Sequence, residues 1–324
     1  MKDQKKLYSA RLLEKAQQRG VEGSDTRGQG YRLLLGLFLS TAISLFAYRR
    51  RSLSPSGVAG AVVTGTTTFG LGGWDWGLSL IFFFVSSSML SHFREREKAA
   101  AAADKFSKGS QRDLGQVAAN GGTATLLALG YGLAQTQALR ETLQAGYVGS
   151  LAAATADTWA TELGVLSPRQ PRLITSGRTV PPGTSGGMTL VGTCAAALGA
   201  LALGTVFWAL QLFRPSLSFL PPLGLISGLA GSFLDSLLGT TLQAMYYCPV
   251  CNKETERRIH RCGTSTRFLR GLPWIDNDIV NFIATFWGGL VAMGLQIALH
   301  PVTHKLADNR QTIVGFEPGH NHQP

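Results

Sequence analysis

Residues 187–213 read GMTLVGTCAAALGALALGTVFWALQLF, an uninterrupted stretch without a single charge. A helix that crosses a bilayer needs about 20 consecutive apolar residues, and this stretch supplies them. Its glycines, alanines and threonines are too small to fill a water-soluble core, but they let helix backbones approach closely in lipid. Similar apolar stretches recur at 33–48, 57–73, 74–93, 114–135, 146–166, 222–247 and 279–300. The fold class expected is therefore all-α, a polytopic transmembrane helical bundle with about seven or eight spans. Segment 57–73 is weakly hydrophobic and reads either as a span or as a re-entrant segment. Segment 74–93 carries tryptophans at one end, as interfacial residues do.

Composition agrees. The chain has 324 residues, of which 45% are hydrophobic and only 15% charged, against about 25% charged in soluble domains. Its 39 glycines lie largely within the apolar stretches. The net charge of +11 could indicate nucleic acid. The basic residues flank apolar segments instead of interleaving with aromatics, so no nucleic-acid partner is expected and membrane lipid or a phosphate-bearing ligand is. Residues 1–32 form a polar, basic tail with a surface helix expected over 7–18. They lack an apolar core region, so no secretory signal is expected. The organisation is then a membrane bundle over 33–247, a basic Cys/His loop over 248–275, a last transmembrane helix over 276–300 and a polar tail over 301–324.

Orientation follows from the basic residues. With Arg49–Arg51 in the cytoplasm and eight alternating spans, cytoplasmic loops hold eighteen Lys or Arg, against four in the opposite loops and C-terminal tail. That is a positive-inside bias. The eight basic residues of the N-terminal tail break it, and re-entry of 57–73 would move that tail inside.

Polar groups within spans are costly and mark function or interhelical hydrogen bonding. Arg112, Gln116 and Asn120 follow i, i+4, i+8 and share a helix face. Arg112 at the membrane edge could hold a phosphate or simply anchor the helix. Asp157 and Glu162 are five residues apart, about 140° around a helix, so they do not share a face. Both reach one metal only if the helix bends or other helices add ligands. Arg178 precedes a Pro-Pro-Gly183-Thr184-Ser185-Gly186-Gly187 loop that reads as opening a helix, where backbone amides at the helix N-terminus could receive an anion; such loops are also ordinary turns. Gly228, Gly231, Asp235 and Gly239 form one stripe that places Asp235 inside the bundle. Asp276, Asn277 and Asp278 open the last span, with Asn281 one turn on. Capping accounts for one of them but does not obviously require three. In the eight-span arrangement these groups lie near the cytoplasmic side, where carboxylate oxygens, arginines and glycine amides suit a magnesium–phosphate ligand. No Ser-His-Asp or Cys-His arrangement is persuasive.

The four cysteines do not make a disulfide framework. Cys194 reads as a packing residue. Cys248, Cys251, His260 and Cys262 match the ligand count of a structural zinc site, with free thiols as the alternative. His320 and His322 in the tail carry no reading.

Together these motifs resemble an integral-membrane family that includes transmembrane protein 19 and plant phytyl-phosphate kinase. The resemblance rests on Ser54–Gly60, Gln111-Arg112 with Gln116 and Asn120-Gly121, Ala156–Gly164, Pro171–Thr175, Val180–Gly192, Gly228–Gly239 and Asp276–Asn281. The Cys248–Gly263 insert is similar to the bacterial and plastid branch, which implies an integral protein of a bacterial inner membrane with its functional loops cytoplasmic. Ala156 departs from the pattern, since relatives often have glycine there. The resemblance implies a kinase that converts a prenyl or phytyl monophosphate to the diphosphate with Mg²⁺ and a nucleoside triphosphate, CTP or ATP. Asp157, Glu162 and Asp235 would then position Mg²⁺. Asp278 and Asn281 would complete metal or nucleotide binding. Arg112, Asn120, Arg178 and the Gly183–Gly187 backbone would hold phosphates. Two other readings fit the same polar residues: a transporter or flippase of a phosphorylated lipid, and a non-catalytic membrane scaffold built around the zinc loop.

Overall fold

The computed structural model describes residues 28–102, 111–211 and 219–314, with backbone alone from 300 onward. The surface helix expected over 7–18 and the histidines of the tail lie outside these residues. Nine α-helices are described: α1 (Gly28–Arg49), α2 (Pro55–Thr67, continued by a π-turn over Thr68–Gly72), α3 (Trp74–His92), α4 (Glu95–Ala102), α5 (Leu114–Leu133), α6 (Gln137–Gly164), α7 (Leu190–Leu210), α8 (Leu220–Thr241) and α9 (Asn277–Val314). By length and composition, α1, α7, α8 and the Asn277–Leu299 part of α9 suffice to cross a membrane. The α3–α4 pair, bent by 70°, makes a fifth if it counts as one span. The last helix runs to Val314, so the polar tail begins as a continuation of the α9 backbone.

The helix starts are set locally. Ser54, Asp113, Thr136 and Thr189 each accept a hydrogen bond from an amide of the first turn of α2, α5, α6 and α7. Such caps satisfy amides that have no partner inside the helix. Gln116 completes a reciprocal capping box with Asp113, which accounts for an amide that the face pattern had grouped with Arg112 and Asn120.

Helix α6 is the axis of the bundle. Every residue from Ala145 to Ala156 is buried, so this helix is surrounded by protein. That explains its modest hydropathy: its neighbours are helices, and small side chains serve close approach better than large apolar ones. A Cβ on Gly149 would lie 2.5 Å from the Gly288 carbonyl and 3.1 Å from the Ser227 hydroxyl. One on Gly288 would lie 2.8 Å from the Gly149 carbonyl, and one on Gly231 would lie 2.9 Å from the Ala284 carbonyl. These pairings rise together along α6 and α8, and fall along α9. Helices α6 and α8 therefore run parallel, with α9 antiparallel to both. Helix α5 returns against α6, and Thr285 of α9 donates to the Ala119 carbonyl at 3.1 Å. At the end where α6 begins, Trp76 packs on Tyr147 with ring centroids 4.1 Å apart, and Tyr147 donates to the Trp76 carbonyl at 2.6 Å.

The cysteine-bearing segment departs from the all-helical expectation. Strands β3 (Met245–Cys248), β4 (Lys253–Thr255) and β5 (Arg267–Arg270) form an antiparallel sheet in the order β4–β3–β5. A shorter pair joins β1 (Arg172–Leu173) to β2 (Gly187–Met188). A tight turn at Asn252 (φ +54°) closes the β3–β4 hairpin, and such local geometry leaves no hydrophobic period to read.

The small-residue seam should be rigid to substitution. Gly231→Ala is expected to destabilise the protein by about 1–3 kcal/mol through overpacking between α6, α8 and α9. Gly294→Ala, whose Cβ would meet nothing within 4 Å, should be neutral or slightly stabilising. Thermal unfolding of the two variants in one detergent measures the difference. Equal melting temperatures would refute a rigid seam.

Candidate functional site

The seam determines where the carboxylates go. Ala153, Gly231 and Ala284 meet in one layer. One turn further along, α6 presents Asp157, α8 presents Asp235 and α9 presents Asn281, three residues after Asp278. Asp157 and Asp235 are half-buried, and the charges of Asp157 and Glu256 both act on Asp235. The Oδ2 oxygen of Asp235 is buried without a hydrogen-bond partner. Like charges held together with an unsatisfied oxygen suit a divalent cation, and carboxylate and amide oxygens are the donors magnesium prefers. Asp276 acts differently, since its Oδ1 accepts from the Ile279 amide at 3.0 Å, as a helix cap does. Capping therefore accounts for Asp276 within the Asp276–Asn281 group.

Glu162 faces the other way. Its Oε1 accepts from Ser91 Oγ at 2.6 Å, and its Oε2 is paired with Lys98. Lys98 also donates to the carbonyls of Leu90 and Ser91 at 2.6 and 2.9 Å. This lysine is buried despite its charge, because its three donors meet a carboxylate and two carbonyls at the bend between α3 and α4. Arg112 is close by. Its Nη1 donates to Ser88 Oγ at 2.9 Å, its guanidinium lies 5.5 Å from the Phe84 ring centre, and the Glu162 charge acts on it. Burial lowers its pKa to about 10 while Glu162 pulls it upward, so the guanidinium remains charged at neutral pH. The five-residue spacing thus divides the two acids of α6: Asp157 towards Asp235, Glu162 towards Lys98 and Arg112. The sequence pattern overlooked Lys98 and Ser91, since only the 70° bend brings a residue of a charged connection back onto α6.

The glycine loop reaches the same end from outside. Gly183 and Gly186 adopt φ of +75° and +77°, a region that favours glycine. A Cβ on Gly186 would also overlap the Thr240 hydroxyl and the Ser236 carbonyl of α8. Ser185 donates to Gln243 Oε1 at 2.6 Å, and Gln243 Nε2 donates to Glu256 at 2.9 Å. The loop is therefore seated on α8 beside Asp235. It does not open directly into a helix: Gly187 belongs to β2, and Thr189 caps α7. Two of its amides are engaged within the turn, Thr184 N with Pro181 O at 3.2 Å and Gly187 N with Thr184 O at 2.9 Å. Arg178 is exposed, its carbonyl accepting from the Leu173 amide at 3.0 Å. Asn120 donates to the Gln116 carbonyl at 3.0 Å and lies one turn below it on α5.

The cysteine unit is docked on the same end of α8. Arg270 donates to the Gly239 and Thr240 carbonyls at 3.1 and 2.6 Å, satisfying the last turn of that helix as cations do. The ligand atoms of Cys248, Cys251, His260 and Cys262 all lie within 4.8 Å of one another. The Cys248 and Cys262 sulfurs are 3.7 Å apart, close to the edge of about 3.8 Å that tetrahedral Zn–S bonds imply. His260 is buried, with Nδ1 3.2 Å from the Cys262 sulfur. The donor set and spacing fit a closed structural zinc site.

Comparison with known proteins adds the family. The family described as Integral membrane protein DUF92 matches residues 38–289. Protein PGR of Arabidopsis thaliana is 34% identical over 276 residues, covering 78% of this chain and 92% of that protein. An uncharacterized membrane protein of Methanocaldococcus jannaschii is 30% identical over 269 residues, covering 83% of this chain and 96% of its own. Protein VTE6, chloroplastic, of Arabidopsis thaliana is 25% identical over 244 residues, covering 75% of this chain and 65% of that protein. No solved structure matches the chain. With helices apolar enough to cross a membrane and a match across most of its length, the chain belongs to the integral membrane family DUF92.

Proposed function

We propose that this protein is a membrane-embedded kinase that phosphorylates an isoprenoid monophosphate, of the prenyl or phytyl class, to the diphosphate. The observation that carries this reading is the convergence of Asp157 and Asp235 at the end of the bundle where Arg112 and the glycine loop also lie. The resemblance to the family that includes plant phytyl-phosphate kinase supports the chemistry. In this reading the remaining apolar helices cross beside α1, α7, α8 and α9 to give seven or eight spans. The site then faces the cytoplasm of a bacterial inner membrane, where a water-soluble nucleotide meets a lipid.

The reaction needs little from the protein beyond positioning and charge. A phosphate monoester is already an anionic nucleophile, so no general base is required. Its oxygen attacks the γ-phosphorus of CTP or ATP, the bond to the β-phosphate oxygen breaks, and the nucleoside diphosphate leaves. Asp157 and Asp235, with Asp278 and Asn281, would hold Mg²⁺, which supplies charge neutralisation across the phosphates. Glu162 could join them only by giving up Lys98; its part here is to hold Lys98 and Arg112 at the membrane edge. Arg112 holds the acceptor phosphate, with Asn120 on the same helix. The glycine loop, with Arg178 upstream, receives the nucleotide phosphates through the amides the turn leaves available. Cys248, Cys251, His260 and Cys262 would bind one structural zinc and stiffen the unit that carries Glu256.

Purified protein with geranylgeranyl or phytyl monophosphate, Mg²⁺ and CTP or ATP should yield the diphosphate. Asp157→Asn and Asp235→Asn should each lower kcat by at least about a hundredfold. Folded protein that makes no product with either nucleotide across a range of chain lengths would reject the kinase and favour transport or scaffolding.

Metal analysis should find one zinc per chain, lost in Cys251→Ser. Protein without stoichiometric zinc would reject that assignment. In chelator-treated protein, hydrogen bonding with Thr264 and His260 lowers the Cys262 pKa to about 6, and the bond to Cys262 raises Cys251 to about 11. A thiolate is the reactive form, so Cys262 should alkylate first at neutral pH. Its rate should fall as pH drops through about 6, while Cys251 should need alkali. Alkylation followed by peptide mapping across pH gives the order.

A further inference from the structure

A second space adjoins the site. Helices α1, α2, α3 and α5 enclose an apolar cleft of about 120 Å³. Among the residues lining it, Arg112 is the one that carries a charge. It stands at one end, over the Phe84 ring. The opposite end is marked by Phe69 and Trp74, whose rings meet edge-on with centroids 4.7 Å apart. Ten residues of α3 separate Phe84 from Trp74, about 15 Å at the helical rise. Trp74 and Leu78 are exposed at the rim, on a helix whose outer face meets lipid in this reading. The cleft ends on a half-buried guanidinium, whereas the α6–α8–α9 seam closes on small residues, and a cation at the end of an apolar cleft suits an anionic head group.

Charge complementarity selects the occupant. The cleft suits one long apolar chain bearing one anionic head, and a guanidinium fork matches phosphate oxygens. Arg112 also links the cleft to α6, since the Glu162 charge acts on it. A head group on Arg112 would therefore stand at the wall between the cleft and the acidic end of α6. We infer that this cleft is the tail site of the isoprenoid monophosphate, with the phosphate on Arg112, the chain running between α2 and α3, and the Phe69–Trp74 pair setting how long a chain fits. This inference rests on the kinase reading for the identity of the head group. It adds a location for the lipid tail and a determinant of chain length.

The test is binding without nucleotide, so that it does not depend on turnover. Affinities of purified protein in detergent are measured for geranylgeranyl monophosphate and for dimethylallyl monophosphate, which shares the head but has almost no tail. Ala61, on the α2 wall of the cleft, is half-buried. Ala61→Phe should weaken the long ligand by at least tenfold and leave the short one within twofold. Arg112→Gln should weaken both. Trp74→Ala, at an exposed position, should shift preference by several fold towards a prenyl monophosphate longer than geranylgeranyl. Unchanged long-ligand binding in Ala61→Phe with no shift in Trp74→Ala would overturn the assignment. So would a co-purified phospholipid in the cleft that prenyl monophosphate does not displace. If the variants discriminate chain length but wild-type protein forms no diphosphate, the kinase reading fails and the cleft stands. If diphosphate forms while both variants keep wild-type chain-length response, the cleft fails and the kinase stands.

Discussion

The structure depends on how closely α8 and α9 approach the buried axis of α6. In lipid there is no hydrophobic gain from bringing one apolar helix to another, so association rests on contact between backbones and small side chains. Gly149, Ala153, Gly228, Gly231 and Gly288 provide that contact, with prospective Cβ positions blocked by carbonyl oxygens of the facing helix. The same seam delivers the polar groups. Asp157 and Asp235 each lie one turn past a seam residue, so the distance between helices decides whether two carboxylates can share a ligand.

Two acids on one helix have different environments for a geometric reason. The turn angle separates Asp157 from Glu162, and each meets what the neighbouring helix offers. Glu162 meets Ser91 and Lys98, and all its charge is answered within the protein. Asp235, which Asp157 faces, meets acids and keeps an unsatisfied oxygen. The first arrangement is complete in itself and holds the α3–α4 bend against α6. The second leaves like charges near one another, which is the arrangement a bound cation would relieve. At the opposite end of the bundle Asp75 is also buried: Gln211 donates to its Oδ2 at 2.8 Å and accepts from Gln144, while its Oδ1 has no hydrogen-bond partner. That network is an interhelical tie of the kind expected wherever a polar group must be tolerated in a membrane protein.

The cysteine-bearing sheet lies over the end of α8. Arg270 closes the helix, while Gln243 links Ser185 of the glycine loop to Glu256. A small unit of three short strands cannot bury enough apolar surface to be rigid alone. Cys248, Cys251, His260 and Cys262 would cross-link it if they hold the proposed zinc, and a rigid unit there would keep the loop beside Asp235.

Much of the helix layout was legible in the residues because lipid imposes a simple rule of long apolar stretches. Segments 33–48, 74–93, 187–213 and 222–247 each overlap a helix, and the Gly228–Gly239 stripe packs tightly, as its spacing indicates. The four zinc-type ligands were legible from spacing alone, since hairpins bring near neighbours together. Other features were not legible. The strands around the cysteines follow local turn geometry with no hydrophobic period. Gln116 turned out to complete a cap, and the glycine loop to end in a strand. Lys98 reaches Glu162 only through a bend, and the cleft beside Arg112 exists only between four helices. Composition and order of residues thus determined that the chain forms apolar helices and which faces carry polar atoms. Tertiary structure alone decided which of those atoms meet, because contacts between helices depend on their depth, rotation and separation, and none of these is written in a single segment.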